Sequence, residues 1–289
     1  MKRLVIKAPS RKRPTSPSNK DLDRWVQMFN DSTAKLKESV SEEAAVMAVQ
    51  VGAPHFVLES MAWERSREAA ERSWGRILRE IFFRSAYKEA ERLKINLNFG
   101  LRNPYAEEWI RRHGTELVAE VYDNTRAGIR RIIEDAFRRS DPPYRMSQRI
   151  REIIGLTERE AKAVHNYWTR LTLEGNRSAK LVDRMTDSYS RKMLRRRAMR
   201  IARTETINAQ AKGTQESWRQ AREQGIVPTY AMQQWIAAKD DRVCPICRAL
   251  DGQIQPVGGM FQDNVRGIQL PGPTAHPLCR CSVGLVVPD

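Results

Sequence analysis

No stretch of the 289 residues approaches the ~20 consecutive apolar positions that a membrane-spanning helix needs, so the chain is expected to be soluble, with no membrane partner. Cysteine is absent before Cys244, which leaves disulfides no part in organising most of the chain. Histidine occurs only at positions 55, 113, 165 and 276. There is no P-loop, no dinucleotide-binding glycine pattern, no nucleophile elbow and no H-E-x-x-H, so the common nucleotide, hydrolase and metalloprotease classes lack their parts. The apolar segment at Met1–Lys7 is too short for a secretory signal, and Arg11-Lys12-Arg13 stands where a small-residue cleavage site would be, so secretion is not expected.

Acidic residues are missing from the first twenty positions, which instead hold seven cations, among them Arg11, Lys12 and Arg13, interleaved with Pro9, Pro14, Pro17 and serines. Such a stretch buries too little apolar surface to offset its ordering entropy. Residues 1–20 therefore read as a disordered basic arm, either a solvated tail or a segment that meets phosphates through charge alone. The whole chain carries a formal charge of +16, which favours polyanionic partners without naming one.

From Asp21 to about Gly225 the pattern is helical. Trp63, Ala70, Trp74, Ile77, Leu78, Ile81 and Phe82 recur at steps of three and four, as do Ile110, Leu117, Val118, Val121, Tyr122, Ile129, Ile132, Ile133 and Ala136. A turn-rich gap at Asn98–Pro104 divides an N-terminal helical region, 21–100, from a second one, 101–225. Asp141-Pro142-Pro143 ends the second long helix, a short helix runs from about Met146 to Ile154, and Gly155 supplies its left-handed end. Thr157-Glu-Arg-Glu160 has capping-box spacing and opens the next helix. A last helix is expected from about Ser188 to Gln224, and its cations, including Arg195, Arg196, Arg197 and Arg200, either contact nucleic-acid phosphates or form a solvated face. After Gly225 glycine and proline become dense and short apolar runs appear at Thr229–Ile236 and Val283–Val287, predicting a small β-containing domain over 226–289. The fold class is thus mainly α: an elongated multi-helix body with a small β-containing, zinc-stabilised C-terminal domain.

The zinc expectation comes from Cys244-Pro-Ile-Cys247 and His276-Pro-Leu-Cys279-Arg-Cys281. A C-x-x-C turn directs two thiolates at one ion, and a second group across a loop completes a tetrahedron. Cys279 and Cys281, two apart, would share a face of an extended strand, with His276 reaching the same centre from the preceding turn. Five donors compete for four positions; Cys244, Cys247 and Cys281 are expected to bind, with His276 and Cys279 contending for the last. A structural ion suits a segment too small and polar to bury a core of its own. Disulfides and redox chemistry are the alternatives. A nuclease of the His-Asn-His type would need a general-base histidine beside an acid, whereas His276 precedes Pro277 and is itself a ligand type.

Four stretches, Ile201-Ala-Arg-Thr-Glu-Thr-Ile-Asn-Ala-Gln210, Trp235 to Cys247, Leu250-Asp-Gly252 and His276-Pro-Leu-Cys-Arg-Cys281, together resemble the phage head-morphogenesis family of minor head proteins, the Mu F-like group. The resemblance spans about Tyr105 to Val287 and leaves the first hundred residues outside it. It implies a non-enzymatic, low-copy protein of the phage head interior near the portal, present in the host cytoplasm during assembly. The partners it implies are the portal protein, major capsid or scaffold protein, and DNA bound without sequence preference. A zinc-containing DNA-binding regulator and a metal-dependent nuclease are the rival readings. Arg203-Thr204-Glu205 is read as fixing how the last helix meets the zinc domain, and Trp218 and Trp235 as packing residues.

Overall fold

The computed structural model describes residues 17–94, 103–238 and 240–288. Among the described residues eight helices precede the small β region: α1 (Asn19–Glu38), α2 (Glu42–Val51), α3 (His55–Ser60), α4 (Trp63–Arg92), α5 (Pro104–Arg139), α6 (Pro143–Ile153), α7 (Glu158–Leu173) and α8 (Ala179–Glu223). Then come β1 (Met232–Ile236), α9 (Pro245–Leu250), β2 (Ile254–Pro256), β3 (Phe261–Asp263), β4 (Ile268–Leu270) and β5 (Ser282–Val286). The mainly helical class with a small C-terminal β region is as the sequence predicts. Most of the expected basic arm, Arg11, Lys12 and Arg13 included, lies outside the described residues, while Asn19 and Lys20 already belong to α1.

The chain divides into two compact units, each assembled from separated pieces: unit 1 from Met1–Asp23, Gly75–Arg111 and Arg200–Asp289, unit 2 from Arg24–Trp74 and Arg112–Met199. The borders between the units fall inside α1, α4, α5 and α8, each of which supplies one stretch to each unit.

Unit 2 is helical. Trp74 meets Trp25 edge-on at 6.0 Å and stacks on Phe29 at 6.2 Å, and Ile129, Ile132, Ile133, Ile150, Ile153 and Trp168 are buried with them. Thr157 and Glu160 close the predicted capping box at the start of α7. Gly155 has φ +88°, and a Cβ there would stand 2.6 Å from the Thr33 methyl, so both conformation and space require glycine. The last helix begins nine residues before the predicted Ser188: α7 stops at Leu173, Gly175 turns the chain at φ +66°, and the Ser178 hydroxyl accepts from Leu181 N. That serine cap, ahead of a stretch without a strong apolar stripe, is the start signal the periodicity missed.

In unit 1, α4 and α8 cross so closely at Gly213 that a Cβ would lie 2.1 Å from the Phe82 carbonyl oxygen. Trp218 of α8 donates its indole N–H to Glu89 of α4 at 2.7 Å. Around it Ala90, Leu93, Ala221, Val227, Ala231, Val257 and Leu285 form one apolar cluster that joins these helices to the β region. β1 is the centre of an antiparallel sheet of order β2-β1-β5, with Trp235 opposite Val283; β3 and β4 form a separate hairpin.

Candidate metal site

The C-x-x-C segment is not an open turn but the start of α9. Cys244 is its N-cap in an extended conformation, Pro245 occupies the first helical turn where its missing N–H costs nothing, and the Cys244 sulfur accepts from Cys247 N at 3.4 Å. The loop before it is tied to the far segment by charge. Asp240 takes both guanidinium nitrogens of Arg280, one of them at 2.7 Å, and this pairing holds its carboxyl below the ordinary range. Asp251 accepts from Ala237 N, and Gly252, at φ +82°, donates to Trp235 O, so the Leu-Asp-Gly motif locks the end of α9 onto β1.

All five predicted donors come together, as two triads that share Cys247. In the first, His276 Nε2 lies 3.1 Å from Cys244 Sγ and 3.0 Å from Cys247 Sγ. In the second, Cys247 stands with Cys279 and Cys281, its sulfur 3.8 Å from that of Cys279. The His276 Nδ1 is 2.8 Å from the Pro277 carbonyl oxygen, an atom that only accepts, so Nδ1 carries the proton and Nε2 turns its lone pair to the sulfurs. Cys247, Cys279 and Cys281 are buried among Trp235, Leu250 and Phe261.

Hydrogen bonding among the sulfurs sorts their protons. Bonds from Cys247 and Cys281 hold the Cys279 thiol far below its usual range, while the bond to Cys279, helped by burial, pushes Cys247 far above it. One thiolate is stabilised at the others' cost, and a bound cation is what lets neighbouring thiols ionise together. Sulfur-rich donors with one correctly tautomerised imidazole suit zinc and related soft transition metals.

One detail corrects the expected arrangement. Cys279 and Cys281 do not share a strand face, because β5 begins only at Ser282; Leu278, at φ +62°, turns the chain and Cys279 N donates to His276 O at 3.1 Å. That turn is fixed from α8, where Thr204 Oγ1 accepts from Leu278 N at 3.0 Å. The middle residue of the Arg-Thr-Glu triplet therefore holds the ligand-bearing loop, while Glu205 is buried and Arg203 exposed. Trp218 and Trp235 are buried packing residues. Asp240 and Asp251 fall in stretches the sequence singles out, Trp235–Cys247 and Leu250-Asp-Gly252, but their organising roles depend on Arg280 and Ala237, partners that the sequence does not reveal.

The cations assigned to nucleic acid are placed unequally. Arg195 and Arg196 are exposed on α8 and Arg200 is half-buried. Arg197 is a correction: it is 4% exposed and donates to the Gly155 carbonyl at 2.7 Å, so it fixes the α6–α7 turn and offers nothing to a phosphate.

The sequence model of the family described as "Phage Mu protein F like protein" matches residues 162–284. The resemblance to head-morphogenesis proteins holds over that stretch, which contains most of α7, all of α8 and all five donors. It begins well after the expected Tyr105, so α5 and α6 lie outside the match. Comparison with curated proteins and with solved structures finds no match.

Proposed function

We propose that this protein is a minor head protein of a tailed phage, a non-enzymatic assembly component of the virion whose C-terminal module is held by one structural zinc ion. The observation that carries the reading is the coincidence of the family match with the five-donor cluster and the part of α8 from Arg200 onward, which braces it through Thr204. Zinc is the natural occupant of a Cys/His set in which His276 Nε2 stands within 3.1 Å of two sulfurs and one of these, Cys247 Sγ, stands 3.8 Å from a third. The same geometry weighs against a nuclease, because both nitrogens of His276 are committed and neither is placed as a general base.

Within the head the partners would be the portal protein, major capsid or scaffold protein, and packaged DNA. DNA contact is supported by α8, where Arg184, Lys192, Arg195 and Arg196 are exposed and have no carboxylate partner among the described residues. At 100° per residue they occupy roughly a third of the helix circumference, a stripe suited to phosphates and not to base edges.

The test is to purify virions and assay them for this chain, together with its copurification with portal rings from cells in which heads are assembling. Presence in virions at a few copies, with one zinc per chain by elemental analysis, is the expected result. Absence from virions combined with a sharply preferred DNA sequence would replace the reading with a zinc-containing regulator. Magnesium-dependent DNA cleavage lost in His276→Ala, with fold and metal content intact, would replace it with a nuclease.

A further inference from the structure

We infer that duplex DNA lies across α7 and α8 together. Its two phosphate rows are held by Arg159 and Arg170 on one helix and by Lys192, Arg195 and Arg196 on the other, with the Tyr167 and Tyr189 hydroxyls between them. This rests on the DNA contact proposed for α8 above and goes beyond it by adding a second helix and by choosing the duplex over a single strand.

The tyrosines show how the two helices are paired. α7 ends at Leu173 and α8 begins at Ala179; Tyr167 and Tyr189, equally far along the chain from Ser178 in the link, have ring centroids 4.7 Å apart. The helices therefore run side by side in opposite directions, within unit 2. At about 100° per residue, the buried Val164, Trp168 and Leu171 lie on one side of Tyr167, and the buried Thr186, Ser190 and Leu194 lie in the same rotational sense from Tyr189. Antiparallel packing turns that shared sense into one common buried flank. Arg159 and Arg170 lie about 80° and 60° to the other side of Tyr167, and Lys192, Arg195 and Arg196 about 60°, 120° and 20° to the other side of Tyr189. Both sets of cations thus share the opposite flank of the ring pair, and all five are exposed.

Charge complementarity selects the occupant. Arg159, Lys192, Arg195 and Arg196 have no carboxylate partner among the described residues, while Arg170 has Glu174 at 3.9 Å and covers the Tyr167 ring at 5.3 Å. The acids of these helices do not offset the charge. Glu160 closes the capping box, Glu158 lies about 180° round from Tyr167, and Glu174 is bonded to Arg177. On α8, Asp183 and Asp187 pair with Arg145 and Arg191. Both tyrosine rings are half-buried, and neither hydroxyl has a hydrogen-bond partner among the described residues, so each can donate to a phosphate. Helices in contact pack about 8–10 Å apart, which sets the cations in two rows. A duplex presents two rows of phosphates along its minor groove, and a single strand presents one.

The full chain is titrated over a range of salt with a short random-sequence duplex and with either of its strands alone. The duplex should bind at least about fivefold more tightly than the strand. Arg159→Gln with Arg170→Gln should lower the slope of log affinity against log salt by about 1.5–2, as two lost phosphate contacts require, with the unfolding midpoint unchanged. Tyr167→Phe with Tyr189→Phe should weaken duplex binding about three- to tenfold at an unchanged slope, because a neutral donor releases no counterion. Wild-type slope and affinity in the α7 double variant, while replacement of Lys192, Arg195 and Arg196 still lowers the slope, would overturn the two-helix contact and leave the α8 stripe standing. A single strand bound as tightly as the duplex overturns the inference as well, and so does full duplex affinity in the tyrosine variant. A wild-type chain with no salt-dependent DNA binding removes the α8 contact itself and this inference with it.

Discussion

Unit 2 and the C-terminal module after Gly225 bury their interiors by different means. In unit 2 the large side chains Trp25, Trp74 and Trp168 pack with a ladder of isoleucines from α5 and α6, enough apolar surface to tolerate a buried ionic seam. There Arg149, 2% exposed, pairs with Glu152 at 2.7 Å and with Asp183 at 3.4 Å; the Nε and Nη1 of Arg149 and one Glu152 oxygen have no hydrogen-bond partner among the described residues. Burial pushes the Glu152 carboxyl up to about 8 and the Arg149 guanidinium down, against their mutual attraction. The module has no such reserve. Its cluster consists of Trp235, Ala237, Leu250, Phe261, Ala275 and three cysteines, served by strands of three to five residues. Short strands around so few large side chains fall below what apolar burial alone holds, so sulfur and the ion it binds take over.

The largest effect expected from that contrast is on metal removal. Metal binding to small sites of this kind contributes on the order of 10 kcal/mol to folding. Cys247→Ser, which removes the donor common to both triads, should release the ion and open the module, while unit 2 keeps its structure. Limited proteolysis should then cut after Gly225 and spare residues 112–199. A chain cut evenly throughout would mean that the two regions do not differ in what holds them. Next in size is the ionic seam: Arg149→Ala leaves Glu152 without its 2.7 Å partner, while Asp183 keeps Arg145 at 2.9 Å, and should cost about 3 kcal/mol by denaturant unfolding. Metal content should stay at the wild-type level, and its loss would break the comparison from the other side.

A third effect sharpens the contrast through pH. His165 of α7 is 1% exposed; neither ring nitrogen has a hydrogen-bond partner among the described residues, and Asp141 stands 3.6 Å away. Burial first, then the Arg139 charge, brings its imidazole down to about 4. The unfolded chain takes up the proton near 6.5 and the folded one only near 4, so stability is full above about 6.5 and is lost as the pH falls to about 4. The loss is up to about 3 kcal/mol, less where Asp141, whose carboxyl burial raises, acts in the opposite sense. His165→Phe should flatten the acid limb of the unfolding curve. An unchanged limb would assign acid sensitivity to other groups.

The stretches that were legible in advance share one property: a local signal that tertiary packing had no reason to override. The capping box at Thr157–Glu160, the proline stop after Asp141 and the isoleucine ladder of α5 each act within a turn or two of chain. The five donors were legible because their residue types cluster so tightly. What was not legible depended on a distant partner. Arg197 is one more cation in a basic run until the Gly155 carbonyl, 42 residues away, accepts its proton. Gly213 is an ordinary helical glycine until the Phe82 backbone approaches it. The pair Cys279/Cys281 pointed to strand spacing, which the left-handed Leu278 and the start of β5 at Ser282 make irrelevant.

The smallest effect on stability is expected at the surface stripe, and its value lies in being small. Lys192, Arg195 and Arg196 are exposed, and none has a carboxylate partner among the described residues, so replacing all three by Gln should move unfolding free energy by no more than about 0.5 kcal/mol. If the stripe meets phosphates, each lost contact removes nearly one unit from the slope of log affinity against log salt, so the slope should fall by about 2–3 for duplex DNA of any sequence. Arg197→Gln should do the reverse: little change in the salt slope and a measurable loss of stability, since it leaves the Gly155 carbonyl without its charged donor. Two arginines adjacent in sequence would then be separated by their measured effects, one acting on a polyanion and the other on the fold. Equal salt slopes for the triple variant and the wild type would remove α8 as the DNA-facing surface and leave its cations a solvated face.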